Sequence, residues 1–188
     1  VAAIGKKNGL KGLRFLTDNE LKQREPFVKS LKTLLVPEEG IVDYKGVMES
    51  MSNNIKESGG NVFLSSKIEK VEKIKNKIYI DNNSSKGYDY IINCTGLHSD
   101  ITYKKLSKEK RKMKIVPFRG EYYKLAKDAE KLVKHLVYPV GNPKFPFLGV
   151  HFTRMINGDR EVGPNAVLAF KREGYNNSDI SISDMIDY

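Results

Sequence analysis

The sequence is poor in the residues that build metal sites and disulfide frameworks. Its 188 residues include one cysteine, Cys94, three histidines and no tryptophan. A single cysteine excludes an intrachain disulfide, and the scattered histidines His98, His135 and His151 have no zinc-binding spacing. We therefore expect neither disulfide stabilisation nor a metal centre in this chain.

Long apolar runs are also absent. Stretches such as 90–92 and 145–150 fall well short of the roughly 18 residues that a membrane-spanning helix needs. The chain does not open with the basic and then apolar pattern of an export signal. We expect a soluble, cytoplasmic protein. Because Val1 rather than methionine comes first, we also expect these residues to be part of a longer protein.

The charge is unbalanced, with 33 Lys and Arg against 23 Asp and Glu and a formal net charge of +10. The lysines are spread over 6–11, 67–77, 104–114 and 124–134 and are interleaved with glutamates, as on solvated helix faces and edge strands. A nucleic-acid groove would combine arginines with aromatic residues on one surface. We expect no nucleic-acid partner, and a non-catalytic basic domain that binds nucleic acid or an anionic surface is the competing interpretation.

Local patterns predict an α+β fold with a mixed or antiparallel sheet. The capping-box spacing of Thr17 and Glu20 predicts a helix over 18–24, and apolar residues at helical spacing predict a second helix over 44–57. Strands are predicted at 31–36, 62–64, 68–74, 77–80, 88–93, 116–125, 136–140, 147–152 and 166–170. Turns are predicted at 82–86, 141–143 and 157–159, and a charged loop at 108–114. No G-x-G-x-x-G fingerprint follows an opening strand, so no complete dinucleotide-binding unit is predicted.

One local feature suggests a cofactor. The apolar strand predicted at 88–93 runs directly into Cys94, Thr95 and Gly96, and Ser99 or Asp100 can begin the helix that follows. A buried strand that ends in small residues and turns into a helix leaves backbone amides free to approach a phosphate or a flavin. Taken alone, this is a weak indication.

Four segments carry a family resemblance. They are GIVDY at 40–44, INCTGLHSD at 92–100, KIVPFRGEYY at 114–123 and FPFLGVHFTRMINGDREVGPNAVLAFKREGY at 145–175. In these segments the chain resembles the L-2-hydroxyglutarate oxidases and dehydrogenases, FAD-dependent oxidoreductases related to D-amino-acid and glycine oxidases. The resemblance implies oxidation of L-2-hydroxyglutarate to 2-oxoglutarate by hydride transfer to FAD. An amino-acid oxidase acting on glycine or sarcosine is the alternative enzyme.

The resemblance also implies partners and a domain organisation. The electron acceptor would be oxygen or a membrane quinone, the latter with peripheral membrane association of the whole enzyme. Residues 1–36 would be the opening helix and first strand of the substrate domain, 37–106 part of the FAD-binding domain, and 107–188 the substrate-binding domain. The family's glycine-rich N-terminal unit and its C-terminal segment are absent from these residues. We therefore expect an inactive isolated chain with an exposed edge at 88–93.

Cofactor-binding residues can be carried over from the family by motif. Ile68 lies where the family's strand passes the adenine, so its backbone is expected to contact FAD. Cys94, Thr95, Gly96 and Leu97 match the turn that touches the cofactor. Core packing is the structural alternative for Ile68 and Leu97, and a small buried residue is the alternative for Cys94.

Substrate-binding and catalytic residues follow from the chemistry of a 2-hydroxy dicarboxylate. Arg119 and Arg154 could hold its carboxylates because a guanidinium grips a carboxylate with two hydrogen bonds. Tyr123 and Tyr44 could donate further hydrogen bonds. His151 is the candidate catalytic residue because the alcohol must lose its hydroxyl proton as the hydride leaves, and a neutral imidazole accepts protons near neutral pH. Each of the five also has a purely structural interpretation.

Overall fold

The computed structural model describes residues 1–81, 87–107, 113–144 and 147–188. Its α-helices are α1 (Ala2–Lys7), α2 (Asp18–Arg24), α3 (Tyr44–Glu57), α4 (Ser99–Ser107) and α5 (Ile182–Asp187). Its strands are β1 (Arg14–Leu16), β2 (Thr33–Leu35), β3 (Val71–Ile74), β4 (Lys77–Ile80), β5 (Phe118–Lys124), β6 (His151–Arg154) and β7 (Arg160–Leu168). Mixed helices and small antiparallel sheets confirm the coarse fold class. The turn predicted at 82–86 and residues 108–112 of the predicted loop lie outside the described residues.

The chain divides into two compact units. The first unit comprises Val1–Glu57 and Gly120–Ala166, and the second comprises Ser58–Arg119 and Val167–Tyr188. Both units are therefore built from two separate stretches of chain, whereas the segments predicted at 1–36, 37–106 and 107–188 are each continuous. The functional assignment of those three segments stays a prediction.

After α1, the N-terminal part of the first unit contains a small two-stranded sheet and a capped helix. Strands β1 and β2 pair antiparallel, with Phe15 opposite Leu34. The Thr17 hydroxyl accepts the amide of Glu20, and the Glu20 carboxylate accepts the amide of Thr17, so the predicted capping box of α2 is confirmed. The Thr17 amide and the Arg14 guanidinium lower the pKa of Glu20 to about 2.

The three-stranded sheet has the order β5-β7-β6. Strands β6 and β7 pair antiparallel from His151 opposite Gly163 to Arg154 opposite Arg160. The turn that joins them is organised by Asp159, whose carboxylate contacts the ammonium groups of Lys124 at 2.5 Å and Lys127 at 3.0 Å. Hydrogen bonds from these two lysines lower the pKa of Asp159 to about 2. The predicted turn at Asn157 to Asp159 is thus confirmed, and it carries buried charge.

The apolar core is thin. Among the described residues, the buried apolar side chains are Leu21, Val133 and Ala169. Large apolar side chains on α3 are exposed, including Met48 and Met51. Exposed apolar surface of this kind marks faces that bind other protein or promote aggregation.

The prediction of a strand at 88–93 is wrong. Only Tyr88 pairs, through an isolated antiparallel bridge to Ile78, and Tyr90 and Ile92 are 88% and 84% exposed. An extended segment becomes a strand only when a neighbour accepts its hydrogen bonds, and the described residues supply one at Tyr88 alone. The segment is exposed at Tyr90 and Ile92, but as an unpaired stretch and not as the edge of a sheet. Residues 62–64 are likewise irregular, and 136–140 pair only at Val137.

Candidate functional site

The predicted cofactor turn, Cys94 to Leu97, lies in the second unit at the start of a 3-10 turn that leads into α4. Gly96 has φ of +54°, and a Cβ built on it would meet no atom of the described residues within 4 Å. Positive φ favours glycine, and the empty space beside it leaves the backbone open to a flat group. Thr95 and Cys94 are also exposed. The residues of this turn therefore fit a cofactor that approaches the backbone closely.

Short-range hydrogen bonds hold the outer side of the turn. The Asn93 side-chain oxygen accepts the Thr95 hydroxyl at 2.8 Å and the Thr95 amide at 3.3 Å. The Asn93 amide group donates to the Ser99 carbonyl at 2.8 Å, and the Ser99 hydroxyl donates to the Gly96 carbonyl at 2.7 Å. The turn is thus tied to the first residue of α4 on both sides of Gly96.

A buried ion pair holds the inner side of the turn. Arg172 and Asp100 have side chains that are 3% and 5% exposed, and Nη1 of Arg172 lies 2.8 Å from Oδ1 of Asp100. The same Nη1 donates to the Leu97 carbonyl at 2.5 Å. Burial opposes ionisation of Asp100, but the Ile115 amide and the Arg172 guanidinium outweigh it and hold the pKa of that carboxyl below its usual value.

Ile68 also lies in the second unit and is 40% exposed. Its carbonyl accepts a long hydrogen bond of 3.4 Å from Lys105. The next two amides, of Glu69 and Lys70, both donate to Oδ1 of Asp81, at 2.9 and 2.6 Å. The backbone at the predicted adenine contact is therefore held in place by side chains from α4 and from the end of β4.

His151 is the best-packed of the predicted site residues in the first unit, at 5% exposed. Its ring stacks on Tyr138 with centroids 4.4 Å apart and meets the edge of Tyr122 at 6.3 Å. Its Nδ1 lies 2.8 Å from the Gly149 carbonyl. A carbonyl can only accept, so Nδ1 carries the hydrogen and the lone pair of neutral His151 is on Nε2. This tautomer is the one that a proton acceptor acting through Nε2 requires.

The sheet does not bring His151 and Arg154 together. Successive side chains of a strand point to opposite faces, so two residues three positions apart on β6 lie on different faces. On β5, Tyr122 faces His151, and its neighbour Tyr123 therefore points to the other face, where it is 70% exposed. Exposed Arg154 has Arg160 opposite it on β7. Arg154 and Tyr123 thus belong to the face that His151 does not occupy.

Arg119 and Tyr44 lie in other surroundings. The Arg119 guanidinium, in the second unit, donates to the side-chain oxygen of Asn177 and to the carbonyls of Gly174 and Asn176, the last two at 3.4 and 3.2 Å. Tyr44 is the first residue of α3 and is 76% exposed. Arg119 therefore anchors the loop at 174–177, whereas the Tyr44 hydroxyl faces solvent.

Sequence reasoning missed Arg172, Asp100, Tyr138 and Tyr122 as parts of these clusters. Arg172 and Asp100 are 72 residues apart, and no pattern in the sequence pairs them. The available signal was that both lie inside segments that carry the family resemblance. Tyr138 and Tyr122 come from separate stretches of chain that only the sheet brings to His151.

Comparison with known protein families finds one that matches almost the whole chain. A family model described as FAD dependent oxidoreductase matches residues 1–186. The chain belongs to this family. Among the described residues of this oxidoreductase chain, no helix is long and apolar enough to cross a membrane, and no cluster of three or more His, Cys, Asp or Glu could hold a metal ion.

Several proteins similar to this chain are named L-2-hydroxyglutarate dehydrogenase. The L-2-hydroxyglutarate dehydrogenase of Indibacter alkaliphilus is 50% identical, over 97% of this chain and 46% of its own length. That of Escherichia coli K12 is 42% identical, over 92% and 41%, and the human mitochondrial enzyme is 39% identical, over 97% and 42%. The oxidoreductase chain thus spans less than half the length of each of these relatives.

A solved structure shares the fold. It is the dithionite-reduced L-alpha-glycerophosphate oxidase of Mycoplasma pneumoniae with FAD bound. The match has a TM-score of 0.67 at 18% identity and covers 94% of this chain and 47% of the oxidase. At this identity the likeness concerns the fold alone.

Proposed function

We propose that this chain is part of an FAD-dependent enzyme that oxidises L-2-hydroxyglutarate to 2-oxoglutarate. The observation that carries the proposal is the similarity, over nearly the whole chain, to L-2-hydroxyglutarate dehydrogenases from bacteria and mitochondria. In the same proposal, residues 37–106 contribute to FAD binding and 107–188 to substrate binding. Electrons pass on to oxygen or to a membrane quinone.

The cofactor contacts are assigned to the second unit. The backbone at Thr95, Gly96 and Leu97 would lie against FAD, with Cys94 beside it and the backbone of Ile68 at the adenine. The open space at Gly96 and the doubly anchored turn support this assignment. Bound FAD would supply the two-electron acceptor that oxidation of a secondary alcohol to a ketone requires.

His151 is assigned the hydroxyl proton of the substrate. Oxidation removes a hydride from the carbon and a proton from the hydroxyl, and the proton needs an acceptor within hydrogen-bond reach. The Gly149 carbonyl fixes the hydrogen on Nδ1, and the stacked Tyr138 ring fixes the plane of the imidazole. Neutral His151 can therefore take the proton at Nε2 without rotating.

The carboxylates of the substrate need cationic partners. Arg154 offers an exposed guanidinium and shares its face of the sheet with Tyr123, so these two form one candidate anion site. Arg119 can serve only by exchanging its contacts with the loop at 174–177, and Tyr44 only by its solvent-facing hydroxyl. Because His151 lies on the opposite face of β6, one substrate molecule cannot contact both His151 and the pair of Arg154 and Tyr123, so the two assignments are alternatives. Slower flavin reduction in His151→Asn of the chimaeric enzyme described below, with an unchanged rate in Arg154→Ala, would favour the His151 face, and the reverse would favour the Arg154 face.

A chimaeric enzyme tests the proposal. Residues of this chain replace the 185 matching residues of the Indibacter dehydrogenase, and FAD content is measured before activity. We expect a flavoprotein that forms 2-oxoglutarate from L-2-hydroxyglutarate and does not oxidise D-2-hydroxyglutarate, glycine or sarcosine at a comparable rate. A chimaera that holds FAD and prefers glycine or sarcosine would contradict the substrate assignment.

A further inference from the structure

The arginine at 172 has no role in the proposed chemistry, yet it is among the most buried charged residues described, at 3% exposed. It follows β7 in the second unit and lies against the inner side of the cofactor turn. We propose that Arg172 is the positioning residue that fixes the Cys94 to Leu97 turn for its cofactor. The inference rests on the proposed function for the identity of the ligand, and on the geometry alone for the positioning.

One planar group holds two successive parts of the chain. Nη1 of Arg172 donates to the Leu97 carbonyl, directly after Gly96, and to Oδ1 of Asp100 in the first turn of α4. Nη2 adds a longer contact of 3.4 Å to Oδ2 of Asp100. A guanidinium keeps its nitrogen atoms at fixed relative positions, so these contacts set the distance between the turn and the helix.

The guanidinium is itself held from its other side by α5. Its Nη2 lies 3.2 Å from Oδ2 of Asp187, and the backbone amide of Arg172 donates to Oδ2 of Asp184 at 2.8 Å. Asp100 is held independently, because its carboxylate accepts the amides of Ile101 and Ile115 at 2.9 and 3.1 Å. Arg172 therefore joins the turn to the anchored carboxylate of Asp100 and to the carboxylates of Asp184 and Asp187 on α5.

The outer side of the turn is weaker. Its contacts are the bonds among Asn93, Thr95 and Ser99, the bond from the Thr95 hydroxyl to that of Thr102, and the 2.7 Å contact of His98 Nε2 with Glu173. All of them lie at or near the surface, where a hydrogen bond to water competes with each. Gly96, at the centre, has the largest conformational freedom of any residue type. Charge-assisted bonds from a buried arginine are stronger than neutral ones. The buried contact is thus the one expected to decide the conformation of the turn.

Because of the state of its Nε atom, replacing Arg172 by lysine removes only the contacts made by Nη1 and Nη2. The Nε atom is buried and has no hydrogen-bond partner in the part of the chain that the structure describes. Arg172→Lys therefore keeps the charge and loses no bond at Nε, and its effect reports the contacts made by the two Nη atoms. A lysine ammonium is a point charge that cannot reach Leu97, Asp100 and Asp187 in the same fixed arrangement.

Hydrogen exchange in the full 188-residue chain, followed by NMR, is the experiment. In Arg172→Lys the amides of Thr95, His98 and Ile101, which donate to Asn93, Thr95 and Asp100, are expected to exchange roughly tenfold faster. The amides that pair β3 with β4, in the same unit, are expected to keep their rates. A role in general stability would accelerate both sets equally, so equal acceleration, or none at the turn, would overturn the inference.

Arg160→Lys is the matched control. Arg160 lies in the first unit and donates to the carbonyls of Val133, Gly158 and Asp159 through the same type of fork. It is expected to leave exchange at Thr95, His98 and Ile101 unchanged, and faster exchange there in this variant would count against a specific role for Arg172.

Exchange with and without FAD in the chimaeric enzyme, carrying Arg or Lys at position 172, separates this inference from the proposed function. Slower exchange at the turn of the wild-type chain, with a smaller effect in Arg172→Lys, supports both. If FAD slows exchange equally in the two chains, Arg172 does not position the turn for the cofactor. If FAD leaves the wild-type turn unchanged, the proposed cofactor contact fails in this chain, and faster exchange confined to the turn in Arg172→Lys would still support fixation of the turn by Arg172.

Discussion

Replacing Gly163 by alanine is expected to destabilise the sheet and disturb His151 from a distance. Gly163 lies opposite His151 in the pairing of β7 with β6. A Cβ at this position would lie 2.8 Å from the Glu121 carbonyl oxygen and 2.8 Å from Cδ1 of Tyr122. Real Cβ contacts are essentially never this short. The ring of Tyr122, whose edge meets His151, must therefore move.

Two effects act in the same direction. Inserting a methyl group into an already filled space costs about 1–3 kcal/mol. Alanine is also strained at the φ of +157° that Gly163 adopts, so the entropic gain of about 0.4–1 kcal/mol that alanine gives at compatible positions does not offset the loss. Gly141→Ala is the matched control, because a Cβ there meets no atom within 4 Å among the described residues. Gly141→Ala lowers the entropy of the unfolded chain without bringing the new methyl group into contact with other atoms.

Urea unfolding and NMR measure the two consequences. The unfolding free energy of Gly163→Ala is expected to fall below that of Gly141→Ala by at least about 1 kcal/mol. The chain has three histidines, and of their ring resonances only that of His151 is expected to shift. Equal stability of the two variants, with an unmoved His151 resonance, would refute the packing argument.

Three further predictions concern catalysis, acid stability and the capped helix. In the chimaeric enzyme His151→Asn is expected to slow flavin reduction by L-2-hydroxyglutarate roughly 10²–10⁴-fold with FAD content unchanged, and a normal stopped-flow rate would dismiss the base role. The folded-state pKa of Asp159 lies below its usual 3.8, at about 2, so its stabilisation is complete above pH 3.8 and is lost as pH falls towards 2. Asp159→Asn should remove that part of the acid dependence of unfolding, and an unchanged acid profile would contradict it. Thr17→Ala should cost about 1 kcal/mol of unfolding free energy in urea and Thr17→Ser much less, and equal losses would argue against the cap.

The elements that could be predicted are those whose signals are local. Thr17 and Glu20 are three residues apart, and the apolar residues of α3 repeat at the period of a helix, so both helices begin and end close to their predicted limits. The turn at Asn157 to Asp159 likewise follows from residues that contact one another directly. In each case the interactions that stabilise the element lie within it.

The strand predicted at 88–93 failed for the opposite reason. Its apolar residues fit a buried strand, but a strand is stabilised by its neighbour, and only Tyr88 has one among the described residues. The same reasoning applies to the site. Sequence reasoning assigned His151 and Arg154 to the same substrate, but the two-residue period of a paired strand places them on opposite faces of β6.

The contacts around Arg172 were beyond local reasoning altogether. Its partners Leu97 and Asp100 precede it by more than seventy residues. A buried ion pair depends on which two segments the fold brings together, and a sequence of this charge offers many alternative partners for one arginine. The family resemblance indicated which segments matter, and the geometry then identified the pairs.

The most direct test of the central claim is anaerobic reduction of the flavin in the chimaeric enzyme. Addition of L-2-hydroxyglutarate is expected to bleach the flavin absorbance to the level that dithionite reaches, with one 2-oxoglutarate formed per flavin. The D enantiomer is expected to leave the absorbance unchanged. A chimaera that holds FAD, is bleached by dithionite and is not bleached by L-2-hydroxyglutarate would contradict the account.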